Sequence, residues 1–486
     1  MFLIRVLPII YSLFLLSACG GGGGGEGGGS SGKSSPSSAN QSSSSVASSQ
    51  AAVVWKDSGA FENDPLILRQ QDDTRAQSIE RLKANGESLN LTKKMPLRGG
   101  IAKIKISPDG TKVAYLADQE TDNIYELFVS NSDGSVNLKV SAAITEGDIT
   151  DFSWSDDSNY IIYVHDSRIL EHEGSYIAKF DGTKSSKITY KPTAGQNIAF
   201  LAWPKFVRGS SHYQFIVWDF IEQPRMVIVN PLTGETITEV RFDNKFTHGN
   251  LSLNGNYLIT ETYEPGRQHL YITNLSNNQT TEIYSGETVE YYWSASGTKI
   301  ALFNFYNLTI YDVEEKSFSS LMNYEYGDIG SIFLKDFWYK NDEYLVFQVY
   351  GRAHSVLSVP TSGATPIHFK EFLAPMEFFT FHDVSADGKL IVFTDNHRVL
   401  TRNLDGNNLE DHTWLQPEGD LTNGMWLPDN KSVLAQRYDI NTNKNVLTKI
   451  DFEKKTLTSL SGDKTVNCFL VAKSTKPYCI LSFDEW

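Results

Sequence analysis

The chain of 486 residues carries 58 acidic and 43 basic side chains, which gives a formal net charge of −15. That balance argues against nucleic acid as a partner, because phosphate backbones attract basic proteins. A hydrophobic content of 40%, with 12% aromatic residues, excludes a disordered chain and indicates a large globular body.

The first segment, residues 1–18, has the composition of an export signal. Met1–Leu16 is apolar with one cation, Arg5, near its start, and it is too short to span a membrane comfortably. Leu16-Ser17-Ala18-Cys19 follows at its end and resembles the lipobox of bacterial lipoproteins. The resemblance implies that the Cys19 thiol receives a diacylglyceryl group and that the chain is cut before it. The alternative is an ordinary secretory signal with a chance cysteine.

The segment after the cysteine is predicted to be a tether. Residues 19–52 are dominated by Gly and Ser, so they have no apolar surface to bury and form a flexible coil. In Gram-negative lipoproteins an aspartate after the cysteine resembles an inner-membrane retention signal, and Gly20 stands there instead. We therefore expect a protein of the bacterial cell envelope, attached through lipid, at the outer membrane. Several acyl chains together give stable attachment.

Residues 53–99 are predicted to be a lead-in to the globular body. Within it, Asp73–Ala84 is the one segment with a helical period, since Ile79 and Leu82 give a weak apolar stripe. Ser88–Lys93 is a candidate strand that could help to close the fold.

From residue 100 onward, one turn pattern recurs about every 45 residues, the length of a four-stranded propeller blade. Ser107-Pro108-Asp109-Gly110 is its clearest copy, and Asp387-Gly388 lies in another. Asp tolerates a left-handed backbone and caps its own turn, whereas Gly supplies a positive φ, so each copy joins two strands. Further copies start near Trp154, Trp203, Leu251, Trp293, Trp338 and Leu427. A second turn, which marks an outer hairpin, recurs at Asp133-Gly134, Asp181-Gly182, Thr233-Gly234, Ser362-Gly363 and Asp405-Gly406.

The clearest copy, with Val113-Ala114-Tyr115 after it, resembles the WD40-like PD40 repeat of TolB-type propellers. It is also similar to the propeller domains of prolyl-oligopeptidase-type peptidases. The resemblance implies an all-β fold, a single β-propeller of four-stranded antiparallel blades over residues 100–486. Eight full units are expected to start near Ile101, Ile149, Ile198, Phe246, Val289, Ile329, Phe378 and Leu421.

The number of blades stays open between seven and nine. A final half unit, Val466–Phe483, follows the eight full ones, and Ser88–Lys93 could complete it, which makes nine when taken literally. An eight-bladed ring with an added hairpin is favoured, because propellers typically have about four to eight blades.

Two cysteines, Cys468 and Cys479, lie in the final half unit. If its hairpin turns at Lys473-Ser474, the two residues face each other on neighbouring strands. In an oxidising compartment such a pair can form a disulfide that pins the hairpin. The alternative is two free, buried thiols. Two sulfurs without a nearby histidine do not predict a metal site, and the sequence carries no cofactor-binding motif.

No catalytic residue is assigned from the sequence. It has neither a GxSxG nucleophile elbow nor a hydrolase segment after the propeller, which separates it from the peptidases. Among ten histidines, His165-Asp166 with His172 comes closest to a cluster, and a polar loop explains it as well. The tryptophans before the repeat turns could be platforms for sugar rings. Because Ile106 occupies the equivalent position in the first unit, we interpret them as core residues.

These observations favour a non-enzymatic scaffold at the cell envelope that binds a protein or an envelope polymer, such as a glycan, across one propeller face. The alternative is a carbohydrate-active or peptide-active enzyme with its site at the mouth of the central channel. Groups from different blades meet there whatever their sequence spacing, so a motif search does not exclude it.

Overall fold

The computed structural model describes residues 55, 58–61, 64–70, 74–83, 87–93, 95–144, 146–166, 174–188, 200–206, 213–218, 225–230, 232–233, 235–241, 248–252, 254–304, 307–323, 331–333, 338–339, 342–350, 355–371, 379–385, 387–395, 398–415, 421–439, 444–461, 468–470 and 478–480. The export signal, Cys19 and the tether lie outside the described residues, so those assignments stay predictions.

Apart from one short 3-10 helix, Thr413–Leu415, every regular element in the described part of the chain is a β-strand. The first strands are β1 (Leu66–Gln70), β2 (Gln77–Leu82), β3 (Ser88–Asn90), β4 (Ile101–Ile106), β5 (Lys112–Ala117), β6 (Glu126–Asn131), β7 (Asn137–Lys139), β8 (Asp148–Trp154), β9 (Tyr160–Asp166), β10 (Gly174–Lys179), β11 (Ser185–Lys187), β12 (Phe200–Phe206), β13 (Tyr213–Trp218), β14 (Arg225–Val229) and β15 (Thr236–Arg241). The next are β16 (His248–Leu251), β17 (Tyr257–Glu264), β18 (Arg267–Asn274), β19 (Gln279–Gly286), β20 (Glu290–Trp293), β21 (Lys299–Phe303), β22 (Asn307–Asp312), β23 (Ser317–Asn323), β24 (Ser331–Phe333), β25 (Trp338–Tyr339), β26 (Tyr344–Tyr350), β27 (Ser355–Pro360) and β28 (Ile367–Glu371). The last are β29 (Phe379–Val384), β30 (Leu390–Asp395), β31 (Arg398–Asn403), β32 (Glu410–Asp411), β33 (Leu421–Trp426), β34 (Ser432–Asp439), β35 (Lys444–Asp451), β36 (Thr456–Ser459), β37 (Cys468–Leu470) and β38 (Tyr478–Ile480).

The described strands form nine antiparallel sheets of four or five strands. We number eight of them in chain order, as sheet 1 (β4–β7 with β38), sheet 2 (β8–β11), sheet 3 (β12–β15), sheet 4 (β16–β19), sheet 5 (β20–β23), sheet 6 (β24–β28), sheet 7 (β29–β32) and sheet 8 (β33–β36). The ninth, which we call the closing sheet, has the order β3-β2-β1-β37. The all-β prediction of four-stranded antiparallel units is confirmed. The eight numbered sheets begin within two residues of the predicted unit starts.

The sheets pack face to face, which buries the inner strands of sheet 1 completely. Every residue of β5 and β6 is buried, because neighbouring sheets cover both faces of sheet 1. The closing sheet packs between the first sheet and the last. On one side its Leu68 shares a core cluster with Tyr115 of sheet 1, and on the other its Ile67 shares one with Leu434 of sheet 8.

The closing sheet corrects the preference for eight units with an added hairpin. Ser88–Asn90 and Cys468–Leu470 lie in this one sheet, so strands from both ends of the chain do close the fold, as the literal count anticipated. The chain supplies two further strands, β1 and β2, between them. The described residues thus form nine sheets, one more than the favoured count of eight and within the expected range of seven to nine.

The helix expected over Asp73–Ala84 is wrong, because Gln77–Leu82 forms strand β2. Ile79 packs towards sheet 1 and Leu82 towards sheet 8. Side chains three positions apart lie on opposite faces of a strand. The apolar residues that suggested one helical stripe thus serve two different core clusters.

The hairpin predicted for the final half unit does not form either. In β37, Cys468 is opposite Leu68 of β1, whereas Cys479 in β38 is opposite Ile104 of β4. The two cysteines therefore belong to different sheets and are not ladder partners. The disulfide between them stays a prediction.

In each numbered sheet, the connections between strands lie at two opposite ends of the strands. The repeat turns after each first strand and the outer hairpins lie at one end, which we call the turn face. The hairpins between the second and third strands, and the connections to the next sheet, lie at the other end, which we call the loop face. None of the helical residues described here forms a segment long and apolar enough to cross a bilayer.

Candidate binding surface

The predicted repeat-turn residues form a closed hydrogen-bonding unit at the turn face. The Ser107 hydroxyl donates to Asp109 Oδ1 at 2.5 Å and accepts the N–H of Lys112 at 3.0 Å. Lys112 Nζ donates to the other Asp109 oxygen at 2.7 Å. Burial opposes ionisation of Asp109, but the hydrogen bonds from Lys112, Ser107 and Thr111 outweigh it and hold its pKa below the usual range.

The same geometry recurs around the ring. The Ser385 hydroxyl donates to Asp387 at 2.7 Å, and the pKa of this carboxyl is also lowered because hydrogen bonds outweigh its burial. Gly110 and Gly388 have φ of +74° and +67°, so both occupy the left-handed position that the turn requires. Pro108 is exposed, and its fixed φ suits the position that follows the serine.

Three sheets carry a side chain at this left-handed position, and in each case it reaches the turn of the preceding sheet. Ser158 Oγ accepts the N–H of Asp109 at 3.0 Å, and Asn430 Oδ1 accepts that of Asp387 at 3.1 Å. Asp342, at a φ of +67°, is only 5% exposed and accepts the N–H groups of two residues, Ala295 at 3.0 Å and Ser296 at 3.3 Å. These contacts link neighbouring turns side by side.

Between sheets 4 and 5 the link runs in the other direction. Asn254 Nδ2 donates to the carbonyl of Gly297 at 3.2 Å. A Cβ on Gly297 would approach Asn254 atoms to 2.7–2.9 Å, so only glycine fits. The described repeat-turn residues are thus joined by hydrogen bonds within each turn and between neighbouring turns.

Several histidines and tryptophans with described side chains are used inside the fold, whereas His269 lies at the surface, where its Nδ1 is 2.7 Å from the exposed Glu282. His382 Nε2 lies 3.0 Å from Thr394 Oγ1, and His412 Nε2 lies 2.7 Å from Thr401 Oγ1. His165 is buried beside the carbonyl of Glu146, whereas His172 lies outside the described residues. The core interpretation is confirmed for three of the tryptophans, Trp154, Trp293 and Trp426, which are 3–8% exposed, and Trp338 is half-buried.

At the loop face, side-chain oxygens cap the entry to the next sheet. Gln77 Oε1 accepts the N–H of Ile101 at 2.6 Å, and Gln268 Oε1 accepts that of Val289 at 2.7 Å. Both glutamines lie near the start of the third strand of their sheets. These partners are separated by about twenty residues or more, and the sequence analysis missed them. A glutamine at the start of the third strand in two units was the signal that could have found them.

Gln268 also belongs to a tyrosine–glutamate cluster that the sequence analysis missed. Glu261 is 7% exposed, and its Oε2 accepts Gln268 Nε2 at 2.7 Å and the Tyr263 hydroxyl at 3.1 Å. Gln268 Nε2 lies 3.2 Å from the same hydroxyl. Tyr263 itself is 50% exposed. A fixed hydroxyl with an open ring gives a rigid aromatic surface whose side chain loses little entropy on binding.

Neighbouring residues of sheet 5 extend this surface. Tyr292 donates to Glu290 Oε2 at 2.7 Å. Burial raises the pKa of Tyr291, and the nearby Glu261 and Tyr263 raise it further, so this phenol stays neutral. Glu264, Glu287 and Glu290 are exposed around the cluster, together with the cation Arg267, and the His269 ring lies 3.7 Å from Glu264. The loop face at sheets 4 and 5 is therefore acidic and aromatic, and the buried Glu261 and Gln268 fix the position of its exposed Tyr263.

The arrangement offers recognition chemistry. Exposed carboxylates attract cations and accept hydrogen bonds from hydroxyl groups, and the tyrosine ring contacts apolar or cationic groups. Within the described residues, no group of three or more His, Cys, Asp or Glu side chains is placed to hold a metal ion.

Comparison with known proteins supports the fold. A crystal structure of a eukaryotic initiation factor is similar to this chain, with a TM-score of 0.53 and 10% identity, over 84% of this chain and 97% of that chain. An oligogalacturonate lyase in complex with manganese gives a TM-score of 0.38 and 14% identity, covering 79% and 96%. TolB from Acinetobacter baumannii gives 0.29 and 16%, covering 62% and 77%. No protein-family model and no curated protein matches the chain.

The sheet arrangement defines the chain as an all-β propeller built from four-stranded antiparallel units.

Proposed function

We propose that this protein is a lipid-anchored scaffold of the bacterial cell envelope that binds a protein or an envelope polymer on its loop face. The observation that carries the proposal is the exposed Tyr263, which the buried Glu261 and Gln268 fix through its hydroxyl. Placing a carboxylate and an amide beneath a half-exposed ring costs burial of polar groups. That cost is understandable if the ring has to stay in one position for a partner.

The charge around the ring favours a partner that presents basic groups or hydroxyl groups. Glu264, Glu287 and Glu290 are exposed there, and the whole chain is acidic. The Gly/Ser-rich segment predicted over residues 19–52 would give the loop face freedom to reach such a partner from the membrane. Anchoring at Cys19 and location at the outer membrane are parts of this proposal.

Site-specific photocrosslinking in growing cells tests the surface. A photoreactive phenylalanine derivative at position 263 should give a discrete covalent adduct with one partner. The matched control is position 318, where Phe318 is 52% exposed but lies beside an outer turn, at the turn face. Adducts at neither position, or equal adducts at both, would contradict binding at the loop face.

The anchor is tested separately. Metabolic labelling with a radioactive fatty acid should mark the wild-type chain, and a Cys19→Ser chain should remain unlabelled and unprocessed. Equal labelling of the two would refute lipidation at Cys19. If a captured polymer were cleaved during the crosslinking experiments, the enzymatic alternative would replace the scaffold.

A further inference from the structure

A second polar site lies between the first strands of sheets 1 and 2, away from the tyrosine–glutamate cluster. Lys103 and Lys105 are two positions apart on β4, so their side chains share one face, towards sheet 2. Ile104 between them belongs to the core cluster on the opposite face. Lys105 Nζ donates to the carbonyl of Phe152 at 2.8 Å, and Lys103 Nζ contacts the Asp151 carboxylate.

The two ammonium groups are close to each other. Their nitrogens lie 5.9 Å and 5.5 Å from the centre of the same ring, that of Phe152. The Lys103 side chain is only 14% exposed, whereas the Asp151 side chain is 59% exposed. Among the described side chains, Asp151 supplies the carboxylate beside the two lysines, and that carboxylate is open to solvent.

The neighbouring Asp151 compensates only part of the positive charge of the two lysines. Two cations brought out of water repel each other unless anions compensate them. Burial, and after it the neighbouring Lys103, lower the pKa of Lys105 to about 8, although Asp151 opposes the shift. Within an acidic chain of net charge −15, this is a local excess of positive charge.

We propose that Lys103 and Lys105 form a binding site for an oxyanion, a carboxylate or phosphate group that bridges the two ammonium groups beside Asp151. The site is independent of the proposed loop-face scaffold, since it uses other residues on other strands. The Phe152 ring flanks the site and keeps part of it dry, which strengthens charge-assisted hydrogen bonds.

Calorimetric titration of the full-length protein with inorganic phosphate, and separately with acetate, tests the proposal. We expect Lys105→Met and Lys103→Met each to weaken binding at least about tenfold. Lys449→Met is the matched control, because that side chain is 34% exposed on a strand of sheet 8 and should leave binding unchanged. Binding of phosphate alone or of acetate alone identifies the group and supports the site. Wild-type affinity in both lysine variants would overturn it.

A variant that is expected to strengthen binding distinguishes loss of the site from loss of the fold. Asp151→Asn removes the competing carboxylate, so oxyanion binding should tighten by about threefold. Carbon-13 NMR of the lysine side chains gives a second readout, because a bound anion favours the ammonium form and should raise the pKa of Lys105 above about 8. The groups facing it on β4 and β8 are Lys103 and Asp151. An unmoved Lys105 titration with saturating phosphate, or weaker binding by Asp151→Asn, would refute the proposal.

Discussion

The turn face and the loop face of this propeller use polar residues in different ways. At the turn face, Ser107, Asp109 and Lys112 bond with one another within six residues of sequence, and the motif repeats around the ring. At the loop face, the glutamine cap recurs in two sheets, at Gln77 and Gln268, but the contacts of Glu261 and Gln268 with Tyr263 are described in sheet 4. The comparison teaches that repeated residues link the turns of neighbouring sheets, whereas the exposed Tyr263, which we propose for recognition, belongs to an arrangement that the repeat does not contain.

The largest expected effect comes from a variant that removes the hydrogen bonds between two neighbouring turns at the turn face. Asp342→Ala removes the acceptor for the N–H groups of Ala295 and Ser296, and we expect it to lower the free energy of unfolding by about 2 kcal/mol. Asp342→Asn keeps one carbonyl oxygen and should lose about half as much. Chemical denaturation measures both. Equal stability of Asp342→Ala and the wild type would show that neighbouring turns are not linked energetically.

Two glycine-to-alanine variants at the turn face distinguish the cost of a steric clash from the cost of backbone strain. Gly297→Ala places a Cβ within 2.7–2.9 Å of Asn254 atoms, whereas a Cβ on Gly363 meets nothing within 4 Å. Both glycines have a positive φ, of +73° and +82°. We expect a loss of about 1 kcal/mol for Gly363→Ala and of about 2 kcal/mol for Gly297→Ala. A ratio near one in thermal denaturation would mean that Asn254 simply moves aside.

The smallest expected effect is a pH dependence that comes from the loop face. Burial lowers the pKa of His412, although Glu410 and Asp411 oppose the shift, so folding favours the neutral imidazole. As pH falls through about 6.5, the unfolded chain binds this proton first. Stability is therefore fully present above that pH and declines below it.

His412→Asn removes this titration and should flatten the slope of the free energy of unfolding between about pH 7 and pH 5. Denaturation at a series of pH values measures the slope. Asp109 is the internal reference, because its lowered pKa makes stability fall only when the pH approaches the ordinary carboxyl range. Parallel curves for the variant and the wild type would remove His412 as a source of pH sensitivity.

The two faces also differ in how far the sequence predicts them. The repeat turns bond over two to five residues, so composition and spacing disclose them, and with them the starts of eight sheets. Glu261 contacts Gln268 on the next strand, and Gln77 caps Ile101 on another sheet. Such partners follow from the register of the strands and the packing of the sheets, which a local pattern does not contain. The same reason explains the failure for Ile79 and Leu82, whose spacing fits a helix as well as two faces of a strand.

The pairing of β1 with β37 in the closing sheet constrains the order in which the chain can fold. Leu68 lies opposite Cys468, so its ladder joins residues about 400 positions apart. A chain is synthesised from its N-terminal end, so β1 has to wait with one edge unpaired until nearly all of the protein has followed. Bringing such distant segments together is slow, and an unpaired edge meanwhile invites wrong partners. A chaperone that covers β1 during this interval would speed assembly without any contact with the finished ring.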